Sequence, residues 1–436
     1  MLSHNPFNLE DHQDTVVTLW RNKSFTVLFT AQVISLAGSG VTTVALALLV
    51  RELAGSAAAA AVLGEALTLR ILAFLLFSQP AGILADRMSR KSMLIASDLA
   101  RFALMAAFPF ITQVWQVYTA VFVVNALTAF FTPAYEASLP EVAGEEHYVK
   151  ALAYSRVAID VEAVGGPVLA GLLVATLGLR WVFWFDALTY VASAILVSCI
   201  RIPSGQPQGG ALKLGDLLRE VTHGTRVLLR EPAIRQALLM SLAEATAGAC
   251  AIVITVVYVE DVLARSTIAF TLVMAGVGAG SSAAAMLLGR RTASLERQTR
   301  DHAQLHGIRH RWSSRAIFIG GWLAALSLLP GMLQPPLLIF GLLWILNGAA
   351  QALIAIPGST LVAEHTSTTE RGRAFAAHFA LTHLCWLITY PATGYIASRV
   401  GPGRAFTLCG AACLGIVLLA ALLGRGTQQA HTHDRH

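Results

Sequence analysis

Four carboxylates, Glu65, Asp160, Glu162 and Glu244, fall inside long apolar runs where water is scarce. A charged group at that depth is costly and marks an ion or proton pathway by default. A carboxyl that binds and releases a proton crosses an apolar layer far more cheaply in its neutral form, which suits proton coupling. Asp160 and Glu162 are two apart, so on a helix they point about 200° from each other and cannot both face one lumen squarely. Arg156, four residues before Asp160, is within pairing reach of it. Histidine offers a second chemistry, because it titrates near neutral pH and ligates divalent transition metals. His378 and His383 share one apolar run with Cys385, but five positions put them about 140° apart around a helix. His302, His306 and His310 are spaced by four, which places them on one stripe if that stretch is helical, a condition that Gly307 weakens. The chain ends His431-Thr432-His433-Asp434-Arg435-His436, a tract that fits either a metal collector or an unstructured solubilising end, and no complete structural zinc site.

Other ionisable groups are better read as structural. Asp98 and Arg101 are three apart and can pair on a helix, as a latch. Asp186 follows Trp181, Trp184 and Phe185, which suggests helix packing near a membrane interface. Glu136 is expected near the rim of an apolar run, within reach of a gate.

The elements that must carry these groups are membrane helices. Of 436 residues, 56% are apolar and only 13% charged, where a soluble domain devotes about 25% to charge; mean hydropathy is +0.63. The apolar runs predict twelve spans at 25–50, 58–81, 92–110, 115–137, 151–177, 181–200, 234–258, 267–289, 315–333, 336–358, 373–397 and 404–424. That divides the chain into an arm (1–24), a six-helix half (25–200), a linker (201–233), a second six-helix half (234–424) and a tail (425–436). Within the linker, Leu212 to Leu229 reads as an amphipathic helix along the membrane. With the amino terminus inside, twenty-three of the 31 Lys and Arg fall on the cytosolic side and five on the other. This asymmetry orients both termini to the cytosol, and it explains the net charge of +6 without nucleic acid. Glu10, Asp11 and Asp14 near the start do not make a basic signal peptide. The five cysteines all lie in apolar runs, which argues against a disulfide framework. No phosphate-binding loop, HExxH motif or Ser-His-Asp arrangement is present, so an enzyme is not expected.

The halves echo each other. Pro133 and Pro357, Pro167 and Pro391, and Arg180 and Arg404 are all offset by 224 residues, the mark of an internal duplication. Gly165-Gly166-Pro167 with Gly171, and Pro391 with Gly394, offer either hinges or close helix packing. Between the second and third runs stands Gly82-Ile83-Leu84-Ala85-Asp86-Arg87-Met88-Ser89-Arg90-Lys91, with Arg87, Arg90 and Lys91 facing the cytosol.

That decamer, G-x-L-A-D-R-x-x-R-K, resembles the signature loop of the major facilitator superfamily, with Ser89 where the family usually has glycine. The resemblance implies two six-helix halves rocking about a central cavity and a conformational latch built from Gly82, Asp86, Arg87, Arg90 and Lys91, with Asp98 and Arg101 nearby. The later Gly289-Arg290-Arg291-Thr292-Ala293-Ser294 is a degenerate echo. The glycine–proline run of span five is similar to that of antiporters and favours export. Arg21 to Phe25 through Gln32, Asp98-Leu99-Ala100-Arg101 and Phe185 to Tyr190 resemble the macrolide and siderophore exporter branch. The histidine-ended tail resembles the NreB-type nickel-resistance exporters. The expectation is proton-coupled efflux of Ni(II), with Co(II) as a further cargo, by a monomer in a bacterial inner membrane. It is driven by the proton gradient without a bound cofactor, its partners being membrane lipid and the cargo. An exporter of amphipathic drugs or a siderophore is the alternative, and a membrane receptor without flux a third reading.

Overall fold

The computed structural model describes residues 19–144, 147–202, 214–298, 302–366 and 370–433, and it is helical almost throughout. We label the long helices α1 (Lys23–Arg87), α2 (Arg90–Ala107), α3 (Val114–Ala143), α4 (Tyr148–Leu177) and α5 (Leu179–Ser198). The remainder are α6 (Leu214–Arg230), α7 (Pro232–Val253), α8 (Thr267–Gln298), α9 (His302–Leu328), α10 (Leu337–His365), α11 (Arg371–Val400) and α12 (Pro402–His433). Among the described residues ten stretches are long and apolar enough to cross a membrane, so the protein is polytopic. The longest, Lys23–Ser78, has 56 residues and would run about 84 Å if straight. It cannot be straight: Gly55 interrupts it at φ 70, ψ 163, a conformation that glycine adopts without a Cβ penalty. Residues on both arms, Val41 to Val50 and Ala59 to Ile71, then share one apolar core.

Side-chain bonds pin the turns at each end of the bundle. At the Gly55 end, Arg180 pairs with Glu52 at 2.8 Å and donates to the carbonyls of Pro109 and Ile111; Tyr258 donates to the Gly331 carbonyl at 2.7 Å. At the opposite end, Asn22 caps α1 by accepting from Ser24 and Phe25 N–H, while its amide donates to the Val142 carbonyl at 2.7 Å. Arg90 pairs with Glu141 and donates to the Ala137 carbonyl, and Lys91 donates to the carbonyls of Ser198 and Ile200 at 2.6 and 2.7 Å. Lys91 thus answers the negative end of α5. Ser89 sits at φ −59 and caps α2 by accepting from Ser92 N–H, so this position needs no left-handed backbone, and serine replaces glycine without strain.

The apolar cores of the two ends differ. At the Gly55 end one cluster joins the amino-terminal helices to the carboxy-terminal ones, from Leu49, Leu63 and Phe183 to Ile254, Phe270, Trp344 and Phe406. At the Arg90 end there are two clusters: Phe25, Met93, Leu139 and Ile200 in one, Ile234, Met240, Ile317 and Leu361 in the other. The bundle is closed at one end and divided at the other. Two seams hold the closed end. A Cβ on Gly64 of α1 would lie 2.5 Å from the Tyr390 carbonyl of α11, and one on Gly394 would lie 2.4 Å from the Ala60 carbonyl. A Cβ on Gly278 of α8 would lie 2.3 Å from the Ala163 carbonyl of α4. Outside these seams Arg51 bridges to Glu260 at 2.8 Å and to Asp261 through two nitrogens.

The sequence repeat has a structural counterpart. Pro133 and Pro357 lie inside α3 and α10, Pro167 and Pro391 inside α4 and α11. Gly178 and Gly401, at φ 89 and 86, end α4 and α11, each donating to the carbonyl four residues back. A further pair was not anticipated: Arg309 binds Glu364 at 3.0 Å, tying the start of α9 to the end of α10 as Arg90–Glu141 ties α2 to α3. Two expectations need correction. Residues 289–294 form no loop but continue α8, which runs to Gln298. The expected polar loop before span nine is mostly helix, with α9 beginning at His302 despite Gly307. The linker does form a helix, α6, and that helix packs on the bundle: Gly224 lies against the Arg373 carbonyl and Ala377 of α11, and Leu228 is fully buried.

Gly280 of α8 and Ile345 of α10 are so close that a Cβ would sit 1.8 Å from the Ile345 carbonyl oxygen, whereas a Cβ on Gly289 would meet nothing within 4 Å. Gly280→Val is expected to destabilise by about 1–3 kcal/mol or more, read as a lower melting temperature in detergent, and Gly289→Val to leave it unchanged. The bridge at the Gly55 end carries a pH expectation. Burial acts to raise the Asp261 carboxyl, but hydrogen bonds from Arg51 and Ser56 and the Arg51 charge outweigh it and hold Asp261 below the usual carboxylate range. A depressed carboxyl favours the closed arrangement fully above its unpaired value and loses that contribution as pH falls through the depressed one. Distances between spin labels across this end should hold from neutral to mildly acidic pH, and Arg51→Gln should lengthen them at neutral pH.

Candidate functional site

A cavity of about 690 Å³ lies among α1, α2, α3 and α4, with Leu139, Leu152 and Arg156 toward the divided end and Ser39, Thr43, Arg70 and Glu162 deeper in the bundle. Its wall combines apolar side chains, Leu36, Phe131 and Ile159 among them, with a few polar ones. That volume and that mixture suit a drug-sized organic molecule. Tyr135 donates to Gln32 Oε1 at 2.5 Å and shares a hydrogen bond with Ser155 at 3.1 Å, which fixes three polar groups on the wall. A second space of about 240 Å³ continues between the amino- and carboxy-terminal helices, lined by Gly40, Pro167, Gly248, Met274 and Gln351. Thr43 and Glu162 border both spaces.

Glu162 is held in place by glycine. A Cβ on Gly40 would lie 2.9 Å from Glu162 Cγ and 3.1 Å from the Gly166 Cα, so α1 and α4 touch backbone to backbone there. Arg70 lies within electrostatic reach of Glu162, His383 and Tyr390. It is the cation at the meeting point of α1, α4 and α11.

A buried charge network adjoins the wall, and Arg101 of that network also lines the cavity. Asp98 and Arg101 form an ion pair, 0% and 3% exposed at their side chains. The Arg101 guanidinium stands 4.3 Å from the Phe131 ring centre and 4.4 Å from that of Tyr190, a cation–π arrangement that offsets part of its desolvation. Tyr190 in turn shares a hydrogen bond with Ser39 of the cavity wall at 3.1 Å. Asp186 is fully buried, accepting from Thr42 at 2.5 Å and from Thr189 at 3.3 Å; a Cβ on Gly38 would be 2.2 Å from its carboxylate. Asp186 thus serves helix packing, as its sequence context suggested: helix α5 turns the carboxyl inward against α1.

The residues singled out by sequence separate accordingly. Glu162 and Glu136 line the cavity, with Arg156 beside them. Glu65 is not among its lining residues: it is exposed, and Tyr118 of α3 donates to its carboxylate. Glu244 is partly buried in α7, within electrostatic reach of Cys385. The Asp160 side chain lies outside the described residues, as do those of Gly82, Asp86 and Arg87 in the signature stretch. Gly166 packs on Gly40 and Gly171 on Thr271, whereas a Cβ on Gly165 would meet nothing. The glycines of α4 thus serve close approach, and Pro167 faces the second space.

Among the described residues the histidines form no three-ligand cluster. His383 donates through Nδ1 to the Phe379 carbonyl at 2.8 Å and stacks on the Phe379 ring at 3.7 Å, and the Arg70 charge nearby repels a metal cation. His378 is part-buried one turn earlier. The ring of His310 lies 5.2 Å from that of His365, which approaches Glu231 at 4.0 Å. Among the described residues no three His, Cys, Asp or Glu side chains come together to hold a metal ion. His436 and the side chains of His302, His306, His431 and His433 lie outside the described residues.

Solved structures share this fold. A bacterial homolog of the human lysosomal transporter Spinster, in an inward-facing and unoccupied conformation, superposes with a TM-score of 0.70 over 93% of this chain and 96% of its own, at 15% identity. A peptide transporter of the POT family in complex with sulfate gives 0.70 over 93% and 94%, at 12% identity. In sequence, the uncharacterized MFS-type transporter YfiS of Bacillus subtilis is 27% identical over 351 residues, 79% of this chain and 80% of its own. Macrolide efflux protein A of Streptococcus pyogenes is 31% identical over 222 residues, and the multidrug efflux pump Tap of Mycolicibacterium fortuitum is 30% identical over 216. These two matches cover 48% and 47% of this chain and 52% of each relative. With residues 28–300 and 308–435 matching the family as a whole, a polytopic helical bundle divided at one end and no enzyme, the chain belongs to the Major Facilitator Superfamily.

Proposed function

We propose that this transporter exports amphipathic, drug-like molecules in exchange for protons. The observation that carries the reading is the roughly 690 Å³ cavity, largely apolar, with Glu162 and Arg70 in its wall. Similarity to macrolide and multidrug efflux proteins supports the cargo class. Gly55 divides the longest helix into two crossings, and α11 adds another to the ten stretches, which makes twelve in two halves. The divided end faces the cytosol, the end of Arg90 and Lys91, as the distribution of positive charge favours. Both termini are then cytosolic, in a bacterial inner membrane.

Cargo enters between the separated cytosolic cores. With Glu162 ionised, its charge balances Arg70 and the cavity tolerates a cationic amphiphile. Exchange of access requires the cytosolic clusters to meet while the glycine seams and the Arg51 bridge part at the Gly55 end. A proton taken up by Glu162 from the outer side leaves Arg70 unbalanced, which repels a cationic cargo and favours its release. The neutral carboxyl then returns and gives the proton to the cytosol. Glu136, at the cytosolic rim of the cavity, is a second proton-carrying candidate. Asp98–Arg101, Arg90 and Lys91 brace the amino-terminal helices as one moving body.

Export of Ni(II) or Co(II) would rest on His302, His306, His310 and the histidine tail. The weaker support for it is physical: the Arg70 charge acts on His383, and no third metal-ligating side chain joins His378 and His383 among the described residues. The two cargoes separate in one assay. Proteoliposomes with an imposed proton gradient should move a macrolide or a lipophilic dye uphill and leave nickel at background. Nickel-stimulated proton flux with no response to any organic probe would refute the proposed cargo. A protein that binds these probes without flux would instead be a receptor.

The proton assignment has its own test. Glu162→Gln should abolish gradient-driven uphill transport while retaining probe binding in detergent, and Glu65→Gln should transport as the parent does. Equal losses in both variants would remove Glu162 from the coupling role.

A further inference from the structure

Helices α8 and α10 cross tightly in the middle of the bundle. A Cβ on Gly280 would lie 1.8 Å from the Ile345 carbonyl, and one on Gly348 would lie 1.8 Å from the Val277 carbonyl. Toward the Gly55 end they separate. The wedge between them is a groove of about 520 Å³, walled by Ile268, Leu272, Gly276, Leu338, Gly341 and Ile345. Its walls face outward: Leu272 is 59% exposed and Leu338 77%. A Cβ on Gly341 would meet nothing within 4 Å, so glycine there leaves room that packing within the chain does not use. In a membrane-spanning bundle, an open apolar groove on the flank is bathed by acyl chains and not by water.

The mouth of the groove is polar. Ser266 lines it and caps the start of α8 by accepting from Ala269 N–H at 3.4 Å. Arg265 stands next to it, exposed, and makes no ion pair among the described residues. The turn that presents it is fixed: Ala264 adopts φ 50, and Arg265 N–H donates to the Val259 carbonyl at 2.9 Å. The nearest carboxylates are committed elsewhere, Asp261 to Arg51, and Glu260 to Arg51 and to Thr267 Oγ1 at 2.7 Å. A free cation at the end of a membrane span lies at headgroup depth, where arginine attracts anionic lipid.

We propose that the α8–α10 groove binds one anionic phospholipid, its phosphate at Arg265 and Ser266 and an acyl chain along Leu272, Gly276 and Gly341. The site lies on the flank of the bundle, apart from the cavity, and is independent of what the transporter carries. The lipid wedges α8 on the side opposite its seam with α4, at Gly278 and Ala163, and so supports the closed end.

Native mass spectrometry of the full chain in mild detergent, with phosphatidylglycerol and phosphatidylcholine supplied in equal amounts, tests this. The parent should retain one phosphatidylglycerol per monomer, preferred by about fivefold, the worth of one arginine near a lipid surface. Gly341→Leu fills space that is empty, so it should fold with an unchanged melting temperature in lipid-free detergent and lose the adduct. Arg265→Gln, at an exposed position, should keep a lipid adduct and lose the preference. Adducts unchanged in both variants, displacement of the adduct by a macrolide, or a dimer formed through this face in place of lipid would each overturn the proposal.

Discussion

The arrangement of this protein depends on an unequal division of its apolar core. At the Gly55 end, side chains from the first and last helices form one cluster; at the Arg90 end they form two. Membrane helices gain little from hydrophobic association, because lipid is as apolar as leucine, so contact must come from close backbone approach. Gly64, Gly278 and Gly394 supply that approach across the two groups of helices. The seams are narrow, and one ionic bridge, Arg51 to Glu260 and Asp261, covers them. A contact built on small residues and an accessible ion pair can part without exposing a large interlocked surface, which rocking about a central cavity demands.

The divided end creates the cavity, and the charges around it fall into two classes. Asp98, Arg101 and Asp186 are buried with their own partners and aromatic neighbours, Arg101 also reaching the cavity wall. Their contacts join α1, α2 and α5. Arg70 and Glu162 stand at the wall, where α1, α4 and α11 meet, and their balance changes if a single proton is added. The same residue types therefore do opposite work according to whether the surrounding chain satisfies them.

Within the signature stretch, the described contacts of Arg90 and Lys91 stay in one group of helices. Arg90 and Lys91 bind the ends of α3 and α5, and Arg309–Glu364 repeats the first of these ties in the carboxy-terminal helices even though the degenerate motif at 289–294 is simply part of α8. The tie thus recurs at residues outside the degenerate motif. The motif echo pointed to residues inside a helix, while the proline offsets mark matching helices, α3 with α10 and α4 with α11. Proline and glycine are constrained by backbone geometry at fixed places, whereas a salt bridge can be rebuilt from any pair of neighbouring turns.

Composition alone determined that the chain is a polytopic helical membrane protein, because 13% charged residues cannot solvate a core of this size. The loop Gly82 to Lys91 carried the family resemblance, since its motif is written in consecutive residues, and the prolines offset by 224 residues carried the repeat. The tertiary structure decided which ionisable groups face the cavity. Glu65 and Glu162 look alike in sequence, both carboxylates within apolar runs, yet one is exposed and bonded to Tyr118 while the other borders two cavities. Hydropathy reports how deep a residue lies along a helix but not its azimuth around it, and azimuth is fixed by contacts such as Gly40 on Gly166 between residues far apart in the chain. His383 shows the same limit: its sequence neighbours say nothing of the Arg70 charge that helix packing brings within its reach.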